Sequence, residues 1–192
     1  MVIFFTADTH FCHAAVIEHS RRPFADLEEM HEALISAWNA RVRPGDTVYH
    51  LGDFALSWGR KKSVAVIDGL LARLNGHKWL ICGNHDREEV TKNPRWLKVV
   101  DYHELKIDMG GTHKQRIVLS HYPMLVWNQN HRGSFMIHGH THGNLLDPGG
   151  KIADAGVDVR QFRPWSLGEV VAFMADRPIV CRDHHTEAAA DE

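Results

Sequence analysis

Five short apolar runs in this sequence are each followed by aspartate, asparagine or histidine. Residues 2–7 precede Asp8 and His10, and residues 46–51 precede Asp53. Runs of this length that end at polar or glycine residues predict buried β-strands. The other three polar groups are Asn84-His85-Asp86, His121 and the trio His138, His140 and His142. The chain must therefore bury several short strands and keep a polar group at the end of each.

Helical patterns separate the first three predicted strands. Apolar residues three and four positions apart predict helices over 26–42 and 61–74, and Asp26 with Glu29 has the pattern of a helix cap. The third strand, 78–82, follows the second helix. Alternation of strand and helix is typical of a largely parallel sheet covered by helices, so the first half of the chain predicts an α/β fold.

The second half of the chain contains more strand patterns. Residues 99–109 and 115–119 flank a Gly-Gly turn and predict a β-hairpin. The apolar residues before His138 predict one further strand. Ser166 and Glu169 have the spacing of a capping box, which predicts the start of a last helix.

Length and composition restrict what the chain can be. It has 192 residues, of which 44% are hydrophobic and 24% are charged, and its net charge is −2. We expect one domain over residues 1–180 and a flexible tail over 181–192, because the tail has little to bury. The charge does not favour capture of nucleic acid or of an acidic membrane. Three cysteines without a Cys-x-x-Cys pair, and the absence of a leader-like or membrane-spanning run, predict a cytoplasmic protein.

The residue types at the strand ends are those that bind divalent metal ions. Carboxylate, imidazole and amide oxygen suit manganese, iron or zinc, and the carboxyl ends of the strands are expected to converge on one edge of the sheet. Asp8 with His10, and His140 with His142, are separated by one residue and so lie on the same side of an extended segment. Two aspartates, one asparagine and four histidines exceed the needs of one ion, whereas two ions sharing one carboxylate would use them all. Two-metal sites of this kind clamp the oxygens of a phosphoryl displacement.

Four glycines lie beside the proposed ligands. They are Gly52, Gly83, Gly139 and Gly143. Glycine allows the tight turns and the close approach of backbone that place side chains around a small ion.

These segments together resemble the calcineurin-like metallophosphoesterases. The matching blocks occur in the family's order between residues 8 and 142 and read DTH, GDF, GNHD, SHYP and GHTH. They are most similar to short bacterial and phage-type members that open with a DTHFxH stretch. The resemblance implies a four-layer αββα sandwich, in which two mixed β-sheets lie face to face with helices outside.

The resemblance also implies a set of metal ligands by position. The ligands of one ion would be Asp8, His10 and His142. Those of the second ion would be Asn84, His121 and His140. Asp53 would bridge the two. Manganese is the expected ion, with iron, zinc, nickel and cobalt as alternatives.

The implied reaction is hydrolysis of a phosphate ester by in-line attack of a metal-bridging hydroxide, with a phosphodiester favoured over a phosphomonoester. His85 matches the family histidine that protonates the leaving alkoxide or stabilises the phosphate, and Asp86 would orient its ring. Asn84 would contact the substrate as well as the metal. For His13, contact with the phosphate and a role in loop packing are both open.

One position departs from the family pattern. Cys12 stands where glycine is expected in the closest members, and its thiol either is a tolerated small side chain or oxidises or selects softer ions. In the loop after SHYP, Trp127, Asn128 and Arg132 either meet the substrate or form an ordinary surface loop. His50 is expected to be a core histidine, as is His138 on its strand.

Two other functions compete with the enzyme. A non-catalytic metal-binding or protein-interaction scaffold of the same fold would have lost catalytic groups, whereas here His85 and every ligand position are filled. A nuclease would need a basic groove or further domains, and the composition indicates neither. The expected partner is therefore a small phosphate ester or nucleotide, with no membrane and no large nucleic-acid groove. The oligomeric state is not indicated.

Overall fold

The computed structural model describes residues 1–56, 60–111 and 114–183. Its β-strands belong to two sheets. In chain order the strands are β1 (Ile3–Thr6), β2 (Thr47–His50), β3 (His77–Ile81), β4 (Trp96–Val100), β5 (Tyr102–Ile107), β6 (Gln115–Ser120), β7 (Phe135–His138), β8 (Ile152–Asp154) and β9 (Trp165–Ser166).

Both sheets are mixed. The first has the order β4-β3-β2-β1-β9, in which β1 to β4 are parallel and β9 is antiparallel to β1. The second has the order β5-β6-β7-β8, with an antiparallel β5–β6 pair and parallel pairs beyond it. The parallel order of β1, β2 and β3 places the loops that follow them at the same edge.

The α-helices lie between the first four strands and after the last one. In the described residues they are α1 (Ala15–His19), α2 (Leu27–Asn39), α3 (Arg60–Arg73), α4 (Glu88–Thr91) and α5 (Leu167–Ala175), with 3-10 helices at Asn130–Arg132 and Val157–Val159. Asp26 caps α2 by accepting a hydrogen bond from the Glu29 N–H at 2.9 Å. Ser166 and Glu169 form the predicted capping box of α5.

Side chains on alternate faces of the strands form separate apolar layers. The outer face of the first sheet packs against α2 and α3. Its buried members include Phe4, Val48, Leu80, Met30, Trp38, Ile67 and Leu71. A second layer lies between the two sheets, with α5 at its margin. Its buried members include Phe5, Tyr49, Ile81, Ile117, Ile137, Val170 and Met174.

A loop covers the outer face of the second sheet. Val118, Met136 and Ile152 are buried on this face with Trp127, and the partly buried Met124 packs against them. The expected fold class, two mixed sheets with flanking helices, is confirmed. Outside the second sheet the covering layer comes from this loop and its 3-10 helix.

The prediction of one strand over 99–109 is wrong at its start. β4 ends at Val100 in the first sheet and β5 begins at Tyr102 in the second, so the chain crosses between sheets at Asp101. The hairpin itself is present, because β5 pairs antiparallel with β6 along its whole length. Both strands contain apolar residues and only Asp101 separates them, so the sequence pattern does not mark the crossing.

Two short strands were not predicted. β8 and β9 contain three and two residues, which is too few for a periodic pattern. Among the described helices, none has both the length and the apolar character needed to cross a bilayer. Most of the expected flexible tail, 184–192, lies outside the described residues.

Candidate metal centre

Strand ends from both sheets meet at one edge of the structure. The loops after β1 and β2 are joined by hydrogen bonds from Asp8 N to Gly52 O and from His10 N to Asp53 O, both at 3.0 Å. From the second sheet, the backbone N–H of His140 donates to the carboxylate of Asp8 at 2.9 and 3.0 Å. The loop after β7 is thereby fixed against the loop after β1.

Asp8, His10 and His142 form the first of two groups that could hold a metal ion. Their ligand atoms all lie within 4.8 Å of one another. Nε2 of His10 is buried and has no hydrogen-bond partner among the described residues. Burial, reinforced by His142, lowers the pKa of His10 far below its usual range. The imidazole is therefore neutral, which is the form that binds a metal ion.

Asp53, His121 and His140 form the second group, again with ligand atoms within 4.8 Å. Oδ2 of Asp53 lies 3.5 Å from Nε2 of His10 and 3.5 Å from Nε2 of His121. One carboxylate oxygen thus stands between a histidine of each group. This placement fits a carboxylate shared by two ions.

The amide of Asn84 lies beside the second group. Its Oδ1 is 3.0 Å from Nε2 of His121 and accepts a hydrogen bond from the Tyr122 hydroxyl at 3.3 Å. On the other side of the His121 ring, Nδ1 lies 2.8 Å from the carbonyl oxygen of Leu51. The carbonyl of Leu51 only accepts, so Nδ1 carries the proton; the lone pairs of Nε2 and of Asn84 Oδ1 then face each other, as two ligands of one cation would. All seven proposed ligands are therefore brought together in two neighbouring groups.

The backbone at the proposed ligands is strained. Asp8, His10, Asp53, His140 and His142 have φ values of 57°, 49°, 56°, 70° and 48°, all in the left-handed region. Each such conformation costs an L-residue about 1–2 kcal/mol. Strain of this kind persists where the surrounding structure enforces it, commonly at functional sites.

The charge environment of Asp8 favours a bound cation. Burial, with a further contribution from Asp154, raises the pKa of the Asp8 carboxyl well above its usual range. A bound divalent ion is the largest local charge in such a site and would reverse this shift. Two carboxylates, one amide and four imidazoles are a donor set that suits manganese, iron or zinc.

Two glycines allow the close approach of the loops. A Cβ on Gly83 would lie 2.3 Å from Oδ1 and 2.4 Å from the backbone N of Asp53. A Cβ on Gly139 would lie 2.5 Å from Cβ of Ala7 and 2.8 Å from Oδ2 of Asp8. Both glycines are among the four singled out in the sequence, and both leave room for a proposed ligand carboxylate.

His85 and Asp86 lie in the loop after β3 but act on different neighbours. The His85 N–H donates to Oδ1 of Asp53 at 2.8 Å, and its half-buried ring lies 5.3 Å from the ring of His10. Asp86 accepts backbone hydrogen bonds from Asp53 and Gly83 on Oδ2 and from Phe54 on Oδ1, at 2.8 to 2.9 Å. These bonds join the loop after β2 to the loop after β3; that Asp86 also orients the His85 ring stays a prediction.

Cys12 and His13 follow His10 in the loop after β1. Nδ1 of His13 is 3.2 Å from Nδ1 of His10, so the structure places His13 against a proposed ligand; contact with a phosphate stays a prediction. Cys12 has a φ of 63°, which explains why glycine is expected there. Burial raises the pKa of its thiol, so the reactive thiolate is disfavoured.

The loop after β6 forms hydrogen bonds within itself and to β5. The indole N–H of Trp127 donates to Oγ of Ser134 at 2.9 Å, and the Asn128 amide donates to Glu104 at 3.0 and 3.1 Å. Arg132 lines a basic cavity with Lys106, Lys114 and Arg116. These contacts favour loop packing for Trp127 and Asn128 over a substrate role.

The histidines expected in the core are buried there. His50 is fully buried and its Nε2 lies 3.0 Å from the Thr9 hydroxyl, while His138 is 2% exposed with Nδ1 2.8 Å from the Gly139 carbonyl oxygen. Both lie next to ligand-bearing loops without belonging to either ligand group.

Sequence reasoning missed two charged residues at this edge. The side chain of Arg22 is fully buried and forms an ion pair at 2.8 Å with Asp158, whose carboxylate lies 2.7 Å from Nδ1 of His142. Neither residue lies in a matched block, and 136 positions separate them, so only their pairing in the fold reveals them.

Comparison with known proteins gives consistent matches. The family model described as calcineurin-like phosphoesterase matches residues 1–144. The uncharacterized protein MJ1445 of Methanocaldococcus jannaschii is 35% identical over 184 residues, which cover 93% of this chain and 94% of that protein. The Gene 66 protein of Mycobacterium phage D29 is 31% identical over 165 residues, covering 75% of this chain and 80% of the phage protein.

A solved structure supports the fold. The crystal structure of the protein of unknown function AQ665 from Aquifex aeolicus matches with a TM-score of 0.66 and 24% identity. The match covers 90% of this chain and 98% of that one. At this identity the likeness concerns the arrangement of the two sheets.

Proposed function

Because this chain belongs to the calcineurin-like phosphoesterase family, we propose that it is a two-metal hydrolase of phosphate esters that cleaves phosphodiesters in preference to phosphomonoesters. The observation that carries this proposal is the position of Asp53, whose Oδ2 lies 3.5 Å from one histidine of each ligand group. A carboxylate in this position can be a ligand of both ions of a two-metal site.

The residues that would hold the ions divide into two sets. Asp8, His10 and His142 would hold the first ion. Asn84, His121 and His140 would hold the second. Asp53 would belong to both. Ions bound there would neutralise the phosphate charge and lower the pKa of a water molecule that attacks phosphorus. We propose manganese as the working ion, with iron, zinc, nickel and cobalt as alternatives.

His85 is the proposed proton donor to the leaving oxygen. Its main-chain N–H is held by Oδ1 of Asp53 at 2.8 Å, which fixes the residue beside the carboxylate shared by the two groups. The ring is half-buried and lies near the rings of His10 and His13 at 5.3 and 5.7 Å. Histidine is the side chain that most often serves as general acid toward a leaving oxygen.

Asn84 is proposed to contribute to substrate binding as well as to the second ion. Its Oδ1 faces His121 at 3.0 Å, so its amide N–H₂ is free to turn toward a phosphate oxygen. The side chains at the rim, Asn84 and His140, are exposed, and Tyr122 is 50% exposed. An open rim of this kind accommodates the second ester group of a phosphodiester, which is the support for diester preference.

The substrate class can be tested with matched chromogenic esters. Metal-free protein supplied with Mn²⁺ should hydrolyse bis(p-nitrophenyl) phosphate faster than p-nitrophenyl phosphate, and a chelator should abolish both rates. The metal content of the same samples is measured in parallel. Faster monoester turnover would contradict the diester preference. Absence of turnover with every divalent ion, in protein that binds two ions, would favour the scaffold function instead.

A further inference from the structure

Arg22 joins two distant parts of the first ligand group. Its guanidinium donates to the backbone carbonyls of Thr9 at 3.0 Å and Asp8 at 2.7 Å. It also donates to both carboxylate oxygens of Asp158, at 2.8 and 2.9 Å. The Arg22 side chain is fully buried and that of Asp158 is 8% exposed. This cation therefore ties the loop after β1 to the 3-10 helix at Val157–Val159.

Asp158 extends the connection to a proposed ligand. Its Oδ2 lies 2.7 Å from Nδ1 of His142, and the Ser20 hydroxyl lies further from the same nitrogen at 3.3 Å. A carboxylate held by arginine accepts and does not donate, so the proton of the His142 ring is on Nδ1. Nε2 is then the ring nitrogen with a free lone pair.

We propose that Arg22 and Asp158 are positioning residues for the first metal ion: together they hold His142 in the tautomer that can bind a metal and fix the Asp8 loop against it. This inference rests on the proposed two-metal function. The second ligand group has its own support, because the backbone carbonyl of Leu51 orients His121. The two ions should therefore respond differently to a change at Asp158.

The Asp158→Asn substitution replaces one acceptor oxygen with an N–H₂ donor and keeps the shape of the side chain. Arg22 offers only donors, so the amide oxygen would turn toward the guanidinium and the amide N–H₂ toward His142. Nδ1 of His142 would then have to accept, which moves its proton to Nε2. A ring protonated on Nε2 cannot be a ligand of the first ion.

The experiment measures metal binding and ring protonation in the full chain. Equilibrium dialysis of metal-free protein against Mn²⁺ gives the Kd of each ion, and ¹⁵N NMR of the histidine rings gives the tautomer without any metal. We expect Asp158→Asn to raise one Kd by about 10–100-fold, to leave the other unchanged, and to move the His142 proton from Nδ1 to Nε2.

Two comparisons assign the effect. Asp68→Asn makes the same substitution beside another arginine, Arg95, which donates to Asp68 at 2.7 and 3.1 Å; it should leave both Kd values unchanged. His142→Ala should weaken the binding of one ion. Adding Asp158→Asn to His142→Ala should not weaken the binding of that ion further, since Asp158 acts through His142.

Arg22→Lys is the second variant, for use if Asp158→Asn does not fold. It keeps the buried charge but cannot bond all four oxygens, and we expect one Kd to rise about tenfold with the His142 proton still on Nδ1. If the wild-type protein binds two ions and the variants have unchanged Kd values and an unchanged His142 tautomer, this inference is overturned and the proposed function is not. Wild-type protein that binds fewer than two ions would overturn the proposed function as well.

Discussion

At the residue scale, the proposed ligands combine left-handed backbone with close approach to glycine. Asp53 has a φ of 56°, and its carboxylate and backbone N lie where a Cβ on Gly83 would be. The surrounding loops enforce this arrangement, because Asp86 bonds the backbone N–H groups of Asp53 and Gly83 at 2.8 and 2.9 Å. The position of the Asp53 carboxylate therefore depends on Gly83 having no side chain.

Gly83→Ala should disrupt the centre. The added Cβ would meet backbone as well as side chain of Asp53 at 2.3 to 2.4 Å, so the loops must separate. We expect a loss of at least about 2 kcal/mol in unfolding free energy together with loss of metal binding. Gly69→Ala is the control: nothing lies within 4 Å of its Cβ, and in the interior of α3 it should stabilise by about 0.5–1 kcal/mol. Equal effects of the two variants would refute the steric argument.

His85→Ala should separate catalysis from metal binding. The backbone N–H that bonds Asp53 remains in this variant, so two ions should still bind. Loss of the proposed proton donor should lower kcat by about 10²–10⁴-fold. Steady-state kinetics and metal content on one preparation check this prediction. A variant that keeps the wild-type rate would remove His85 from the mechanism.

Residue types could be predicted from the sequence better than residue environments. The seven proposed ligands follow from the blocks, because each block carries its own metal-binding side chains. The backbone bonds of Asp86 could not be predicted, since its three partners lie in two loops. The burial of Arg22 and its pairing with Asp158 could not be predicted either, because an arginine outside the matched blocks is normally expected at the surface.

At the scale of the element, sequence patterns predicted the structure reliably where only a few neighbouring residues decide it, as in helix caps. The caps at Asp26 and Ser166 are present as predicted, because a cap is decided within one turn. The crossing from β4 to β5 was missed, because membership of a sheet depends on pairing with distant strands. β8 and β9 pair through two or three residues, and such strands exist only through their neighbours.

The cap of α5 gives a pH-dependent prediction. Burial alone would raise the pKa of Glu169, but hydrogen bonds from Ser166 and the ion pair with Arg41 lower it from 4.5 to about 2. Because the folded pKa is below the unfolded one, the carboxylate stabilises the fold above about pH 4.5, and this contribution is lost as the pH falls toward 2.

Glu169→Gln should therefore destabilise the protein near neutral pH and have less effect below about pH 4. The side chain is 37% exposed, so screening limits the expected loss to about 1 kcal/mol. Urea unfolding across this pH range measures the difference. Glu88→Gln, which removes an exposed pair with Lys92, should change little at any pH. A loss of unfolding free energy that is the same at all pH values would contradict the lowered pKa of Glu169.

At the scale of the whole molecule, the centre exists only in the folded chain. Its proposed ligands run from Asp8 to His142, and the positioning pair extends this span to Asp158. Two sheets and the loops of six strands must be in place before these groups meet. The sequence indicated the convergence because parallel strands end at one edge, and the second sheet was implied by the resemblance alone.

Metal binding should consequently stabilise the whole protein. An ion that binds the folded state alone adds about 2.7 kcal/mol at a concentration 100 times its Kd. Thermal unfolding with and without Mn²⁺ should show a higher Tm with the ion, and Asp53→Asn should lose most of that increase. A Tm that does not respond to any divalent ion would contradict a centre formed by folding.

The central claim is that one carboxylate, Asp53, serves two ions in a phosphate-ester hydrolase. Its most direct test is a titration of metal-free protein with Mn²⁺ in which bound ions per chain and the rate of diester hydrolysis are followed together. We predict that the rate reaches its maximum when two ions are bound per chain, and that Asp53→Asn loses both the second equivalent and the activity. Full activity with one bound ion, or activity that survives in Asp53→Asn, would contradict the account.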